Sequence, residues 1–162
     1  METYPYCLPM NPDQKKQDAY LFLTTHRIGV LATLSPDATP RARTVYYACD
    51  ESFNIYILTL TNTRKAWDLD ANGHAAFVVS AEDVPQTLQI EGTVTDVSDE
   101  QVNNEIVHKI FEQLESNAQY HAPLTRFDAG VVRFFKLTPT WIRWGDFTKG
   151  NGSEEVFFQL LP

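Results

Sequence analysis

Leu58-Thr59-Leu60-Thr61-Asn62-Thr63-Arg64-Lys65-Ala66-Trp67-Asp68-Leu69 is the stretch on which the reading of this chain turns. It begins as a β-rich run, passes through a polar turn, and then two adjacent cations open a helix. Thr63 is a natural N-cap, because its hydroxyl can accept an early backbone N–H. The unpaired N–H groups of a helix start carry partial positive charge, so this is where a phosphate would sit. The chain has 13 Lys and Arg against 21 Asp and Glu, a net charge of −8. Local positive charge in so acidic a chain needs a reason. A second cationic point lies upstream at Pro40-Arg41-Ala42-Arg43-Thr44-Val45, on another predicted strand. Two separate basic points on a β scaffold suggest a small phosphorylated molecule rather than an extended polyanion.

Working outward, Met1–Pro12 reads as an irregular arm and residues 13–162 as one domain. Asp13 to about Thr25 predicts a short helix, with apolar positions at Ala19, Tyr20, Phe22 and Leu23. Ile28–Leu34, Arg41–Ala48 and Phe53–Thr59 are three strands joined by turn-rich segments, which means an antiparallel meander and not a βαβ unit. The helix from Thr63 to Ala71 follows, closed at Asn72-Gly73 by a left-handed cap. Ala75–Ser80 and Thr87–Val97 are a fourth and fifth strand, separated by an acidic turn. Ser98 to about Leu114 predicts a long helix with Val102, Ile106, Ile110 and Leu114 on one face. Gly130–Leu137 is a sixth strand, Thr140–Arg143 a short seventh, and Val156–Leu161 a last apolar piece. The fold expected is mainly β: a six- to seven-stranded antiparallel split β-barrel of Greek-key type with about three peripheral helices, since closure removes exposed sheet edges.

The totals narrow the function classes. An apolar share of 43% over 162 residues allows one domain with a real core. The acidic balance argues against nucleic-acid or acidic-membrane binding, and no apolar run is long enough to span a bilayer. The N-terminus lacks the regions of a signal peptide, and two cysteines, Cys7 and Cys49, form neither a disulfide framework nor a metal spacing; a cytoplasmic location is expected. His26, His74, His108 and His121 are scattered, and no nucleophile elbow, P-loop or HExxH pattern is present. No catalytic side chain and no metal site can be named.

In order and spacing, these pieces resemble the FMN-binding split β-barrel family typified by pyridoxamine 5′-phosphate oxidase. Thr63-Arg64-Lys65-Ala66 is similar to that family's Ser-Arg-Lys-Ala helix start, and Pro40-x-Ala42-Arg43-x-Val45 to the strand before it. Gln89-Ile90-Glu91-Gly92 resembles the fifth strand, and Trp144-Gly145 stands where the family places a tryptophan near the flavin. The resemblance implies FMN as cofactor, with Arg43, Arg64 and Lys65 on its phosphate and Thr63 adding a hydroxyl. It sets Thr59 near the isoalloxazine and main-chain groups around Thr44 and Val45 against the ring. It also implies a homodimer with the flavin at the interface, Gln89 and Trp144 being candidates for the partner's contribution. The implied activity is hydride transfer on a small organic substrate, with NAD(P)H a possible donor. The absence of acid–base motifs agrees with chemistry carried by a flavin.

Two departures point away from the phosphorylated vitamin as substrate. Ala48 replaces the lysine that would hold the substrate phosphate, and Gly145-Asp146-Phe147-Thr148-Lys149-Gly150-Asn151-Gly152 replaces an Arg-Leu-rich substrate motif. The alternatives within the fold are a deazaflavin-dependent or haem-handling relative, the latter wanting an axial ligand such as His121. Outside enzymes, the alternatives are a flavin-binding sensor or storage protein, or a barrel with no cofactor.

Overall fold

A computed structural model describes residues 12–98, 132–149 and 156–161. Strand alternation builds most of it. In β1 (Ile28–Leu34) and β2 (Pro40–Cys49), odd-numbered side chains turn inward, so Leu31, Thr33, Val45, Tyr47 and Cys49 are buried. β3 (Ile55–Leu60) completes the meander, pairing with β2 only over Tyr47–Cys49. The chain then crosses one end of the structure through α2 (Arg64–Ala71) and returns as β4 (His74–Ser80) beside β1 rather than beside β3. β5 (Gln86–Asp96) and β6 (Val132–Asp146) follow in antiparallel order, and β6 pairs back onto β3, from Ile55↔Leu137 to Leu60↔Val132. That last pairing closes a six-stranded barrel. β7 (Phe157–Leu161) is a seventh strand on β6, past the point where β3 leaves it. A 3-10 turn over Phe147–Lys149 ends β6.

The interior is one apolar cluster in which Leu31, Ile55, Ile57, Phe77, Leu88, Ile90, Leu137 and Ile142 are almost wholly buried. The Cζ end of the Phe77 ring lies against Gly29, where a Cβ would stand 2.3 Å from Cζ, and the ring meets Tyr47 edge-on. α1 (Pro12–Thr25) covers the end of the barrel opposite α2. Phe22 packs on Trp144 at 4.9 Å, and Tyr47 donates to the Leu23 carbonyl at 2.8 Å.

Two expectations are corrected here. β6 is continuous through Pro139, where sequence suggested two strands. The ladder accommodates the proline by shifting register between Glu91 and Gly92, with Gly92 opposite Pro139. α2 does not close in the left-handed conformation. Asn72 is extended (φ −148°, ψ 109°), its N–H bonds to the Asp68 carbonyl and its Oδ1 accepts from His74 N. The last apolar piece is a paired strand. The long helix after Ser98 and the arm before Pro12 lie outside the described residues, as do His108 and His121. No described helix is long and apolar enough to cross a membrane.

Candidate functional site

At the α2 end of the barrel the strands diverge. β3 parts from β2 after Ile57, which leaves the start of β2 with β1 on one side and no strand opposite on the other, among the described residues. The Tyr47 backbone N–H donates to the Arg27 carbonyl, so odd residues of β2 bond toward β1. By the alternation of an antiparallel ladder, Ala42 and Thr44 turn their N–H and C=O groups into the gap. A planar heterocycle with donors and acceptors on its edge would find complementary main-chain groups there.

α2 forms the floor of this gap. Thr63 is its N-cap (φ −93°, ψ 153°), its hydroxyl accepting from Ala66 N at 3.3 Å and donating to the Leu60 carbonyl at 3.0 Å. Thr59, buried at the end of β3, stands 3.0 Å from the same hydroxyl. Ala66 and Leu69 bury the inner face of the helix, and Asp68 goes in with them at 0% exposure. Its carboxylate is held from three sides. Arg41 Nη1 donates to Oδ1 at 2.6 Å, while Arg43 Nη2 at 2.9 Å and Thr33 Oγ1 at 3.1 Å donate to Oδ2. Arg43 Nη2 also donates to Thr33 Oγ1 at 2.9 Å.

The other terminal nitrogen of the same guanidinium has the opposite fate. Arg43 Nη1 is buried and has no hydrogen-bond partner among the described residues. Buried donors are almost always satisfied, so one left bare marks a place where an acceptor belongs. Lys65 is close by. Burial, and then the charge of Arg43, hold its ammonium down to about 8 from the ordinary lysine range. Lys65 forms no ion pair among the described residues, and Arg64, exposed on the outer side of α2, forms none either. A bare guanidinium nitrogen and a destabilised ammonium at a helix start are groups whose charge an anion would pair.

The expected site residues are therefore divided. Arg43, Thr59, Thr63 and Lys65 converge around the start of α2, Arg64 stands exposed on the outer side of the helix, and the Thr44 backbone borders the gap. The Val45 side chain is in the core. Gln89 is on the outer face of β5, three strands from Thr44 in the row Thr44–Val30–Val78–Gln89. Trp144 is 2% exposed and its ring is taken up by Phe22 and the core. Sequence reading missed Asp68 and Thr33. Asp68, four residues after Arg64, looks like half of an exposed helical ion pair, and only tertiary contacts turn it inward.

A closed antiparallel barrel with a cationic gap between two diverging strands defines the class as a split β-barrel. The chain belongs to the pyridoxamine 5′-phosphate oxidase family, whose model matches residues 16–144. A pyridoxine/pyridoxamine 5′-phosphate oxidase of Microcystis aeruginosa is 35% identical over 74 residues, which are 46% of this chain and 35% of that relative. The match thus spans about a third of the relative's length. Among solved structures, general stress protein 26 of Bacillus anthracis superposes with a TM-score of 0.62 at 16% identity, covering 80% of this chain and 92% of that one. A haem-binding protein of Mycobacterium smegmatis gives 0.64 at 17% identity, covering 93% and 57%. At such identities these two likenesses show the fold alone.

Proposed function

We propose that this chain is an FMN-dependent oxidoreductase acting on a small organic substrate by hydride transfer. The observation that carries the reading is the bare, buried Arg43 Nη1 beside Lys65. In this reading Arg43, Lys65 and Arg64 hold the phosphate, and Thr63 fixes the helix whose first N–H groups face it. The edge of β2 at Ala42 and Thr44 offers main-chain groups to the flavin ring, with Thr59 beneath it. The flavin, when bound, supplies the hydride chemistry. The protein's own work is to orient it and to keep the phosphate charge paired. Substrate identity and electron donor are separate questions; NAD(P)H is the donor to screen first.

The reading includes a homodimer. Ile28 is 50% and Val30 43% exposed on the outer face of β1, and the face continues through Ala32 on the same strand and Ala42, Ala76 and Val78 on the neighbouring strands. A flat apolar sheet face of this kind fits a twofold contact. Gln89 lies in the same face, so a partner subunit could present it to the gap.

The test is the visible spectrum of purified protein before and after adding FMN and desalting. Retained flavin bands at about one FMN per chain, as a single site per protomer requires, support the reading. A colourless protein sinks it, and a Soret band after adding haem moves the haem-handling relative into first place.

A further inference from the structure

From the bonds around Asp68 we infer that this residue is the positioning residue of the anion site, acting through Arg43. The inference rests on the phosphate reading above and deepens it. Both hydrogens of Arg43 Nη2 are engaged, one by Thr33 Oγ1 and one by Asp68 Oδ2, each at 2.9 Å. A guanidinium is planar, so two bonds from one nitrogen fix the whole group, including the direction of Nη1. The carboxylate is itself immobile. It is completely buried, its second oxygen is taken by Arg41 at 2.6 Å, and it sits on the same helix that carries Arg64 and Lys65. Asp68 therefore sets the distance between the β2 cation and the α2 cations. Without it, nothing would offset the repulsion between Arg43 and Lys65, and Arg43 could swing out toward solvent. With it, Nη1 is kept inside and bare.

A carboxylate offers about four acceptor sites, and Asp68 uses three of them on Arg41, Arg43 and Thr33. Here it satisfies one nitrogen of Arg43 and leaves the other for a ligand. Asp68 does not touch the anion in this arrangement; it orients the group that does.

The test is a double-mutant cycle read by FMN and riboflavin affinity, with wild type, Asp68→Asn, Arg43→Gln and the double variant. Asp68→Asn should weaken FMN binding about tenfold, the coupling expected within one ion-pair network. Riboflavin, which lacks the phosphate, should change by less than about twofold, since no phosphate contact is at stake. In the Arg43→Gln background the same substitution should cost FMN less than about twofold, because the residue it acts through is gone. Thr33→Val is the second probe, for use if Asp68→Asn does not fold. It removes the hydroxyl shared by Arg43 and Asp68 while keeping every charge, and its smaller FMN loss should also vanish with Arg43→Gln. Equal losses for FMN and riboflavin, additive losses across the cycle, or tighter FMN binding in Asp68→Asn would each overturn the inference. If wild type takes up neither flavin, the flavin reading fails and this inference with it. If wild type binds FMN and only the cycle is additive, Asp68 is a structural counter-ion and the flavin reading stands.

Discussion

Lys65 is the residue whose state depends most on whether an anion is present. Its ammonium is held to about 8 by burial and by Arg43, so a phosphate that pairs with it must raise that value. Ligand binding is then linked to proton uptake, and FMN affinity should be level until about a unit below pH 8 and fall through and above that value, while riboflavin affinity does not follow. Titration of both flavins between pH 7 and 9.5 checks this; parallel profiles would refute it. The effect on stability has the opposite sense. The folded value lies below the unfolded one, so the unfolded chain binds the extra proton between about 8 and the ordinary lysine value of 10.5. Lys65 therefore destabilises the ligand-free protein fully below pH 8, and the penalty is relieved as pH rises to 10.5. Lys65→Met should be more stable than wild type at pH 7, by an upper bound of about 3 kcal/mol. Denaturant unfolding at pH 7 and pH 10 should show the gap shrinking. Arg64→Ala with Lys65→Ala should cost FMN several kcal/mol, at about 1.5–3 kcal/mol for each charged hydrogen bond, and leave riboflavin almost untouched.

At the level of elements, local chemistry was legible wherever it decided the outcome. Thr63 caps α2 as its hydroxyl predicts, and the turn-rich segments delimit β1 to β3 within a residue or two. Misreadings arose where a partner element overrides the local signal. Pro139 lacks an N–H and so reads as a strand break, yet β6 runs through it, with Thr140 as the extra residue of a bulge opposite the Glu91–Gly92 step. Asn72-Gly73 has the composition of a left-handed cap, yet the chain stays extended there because it must enter β4 at once. Gly92 carries a testable consequence. A Cβ there would stand 2.1 Å from the Thr138 carbonyl oxygen and 2.9 Å from its carbon, both backbone atoms that cannot rotate away. Gly92→Ala should destabilise by about 2 kcal/mol or more, seen in chemical denaturation. A neutral result would mean that the bulge is plastic. α2 is also tied at its far end, where Arg133 donates to Asp70 at 2.6 and 2.8 Å and to Asp96. The Arg133 hydrogen bond holds the Asp70 carboxyl below its usual range.

For the whole molecule, the sequence carried the barrel and the identity of the cations but not their arrangement. Arg43, Arg64 and Lys65 are visible as types; that Arg43 leans on a buried carboxylate 25 residues away is visible only after folding. The outer apolar face makes a prediction at this scale. Val30→Glu alters a side chain that is 43% exposed, so the barrel should fold while a twofold contact through β1 should not form. Sedimentation should then report a monomer, with FMN affinity reduced if the partner subunit completes the site. A variant that sediments like wild type would remove this face from the interface.

The crossing of α2 has a consequence in time. Thr33, Arg41, Arg43, Thr63, Lys65 and Asp68 all precede β4, whereas the pairing that closes the barrel joins β3 to residues 132–137. During synthesis, every part of the cationic cluster has left the ribosome while the closing strand is still untranslated. The first strands and the helix that floors the gap can associate before there is a barrel to hold them, and the closing strand arrives at a site whose parts are already present.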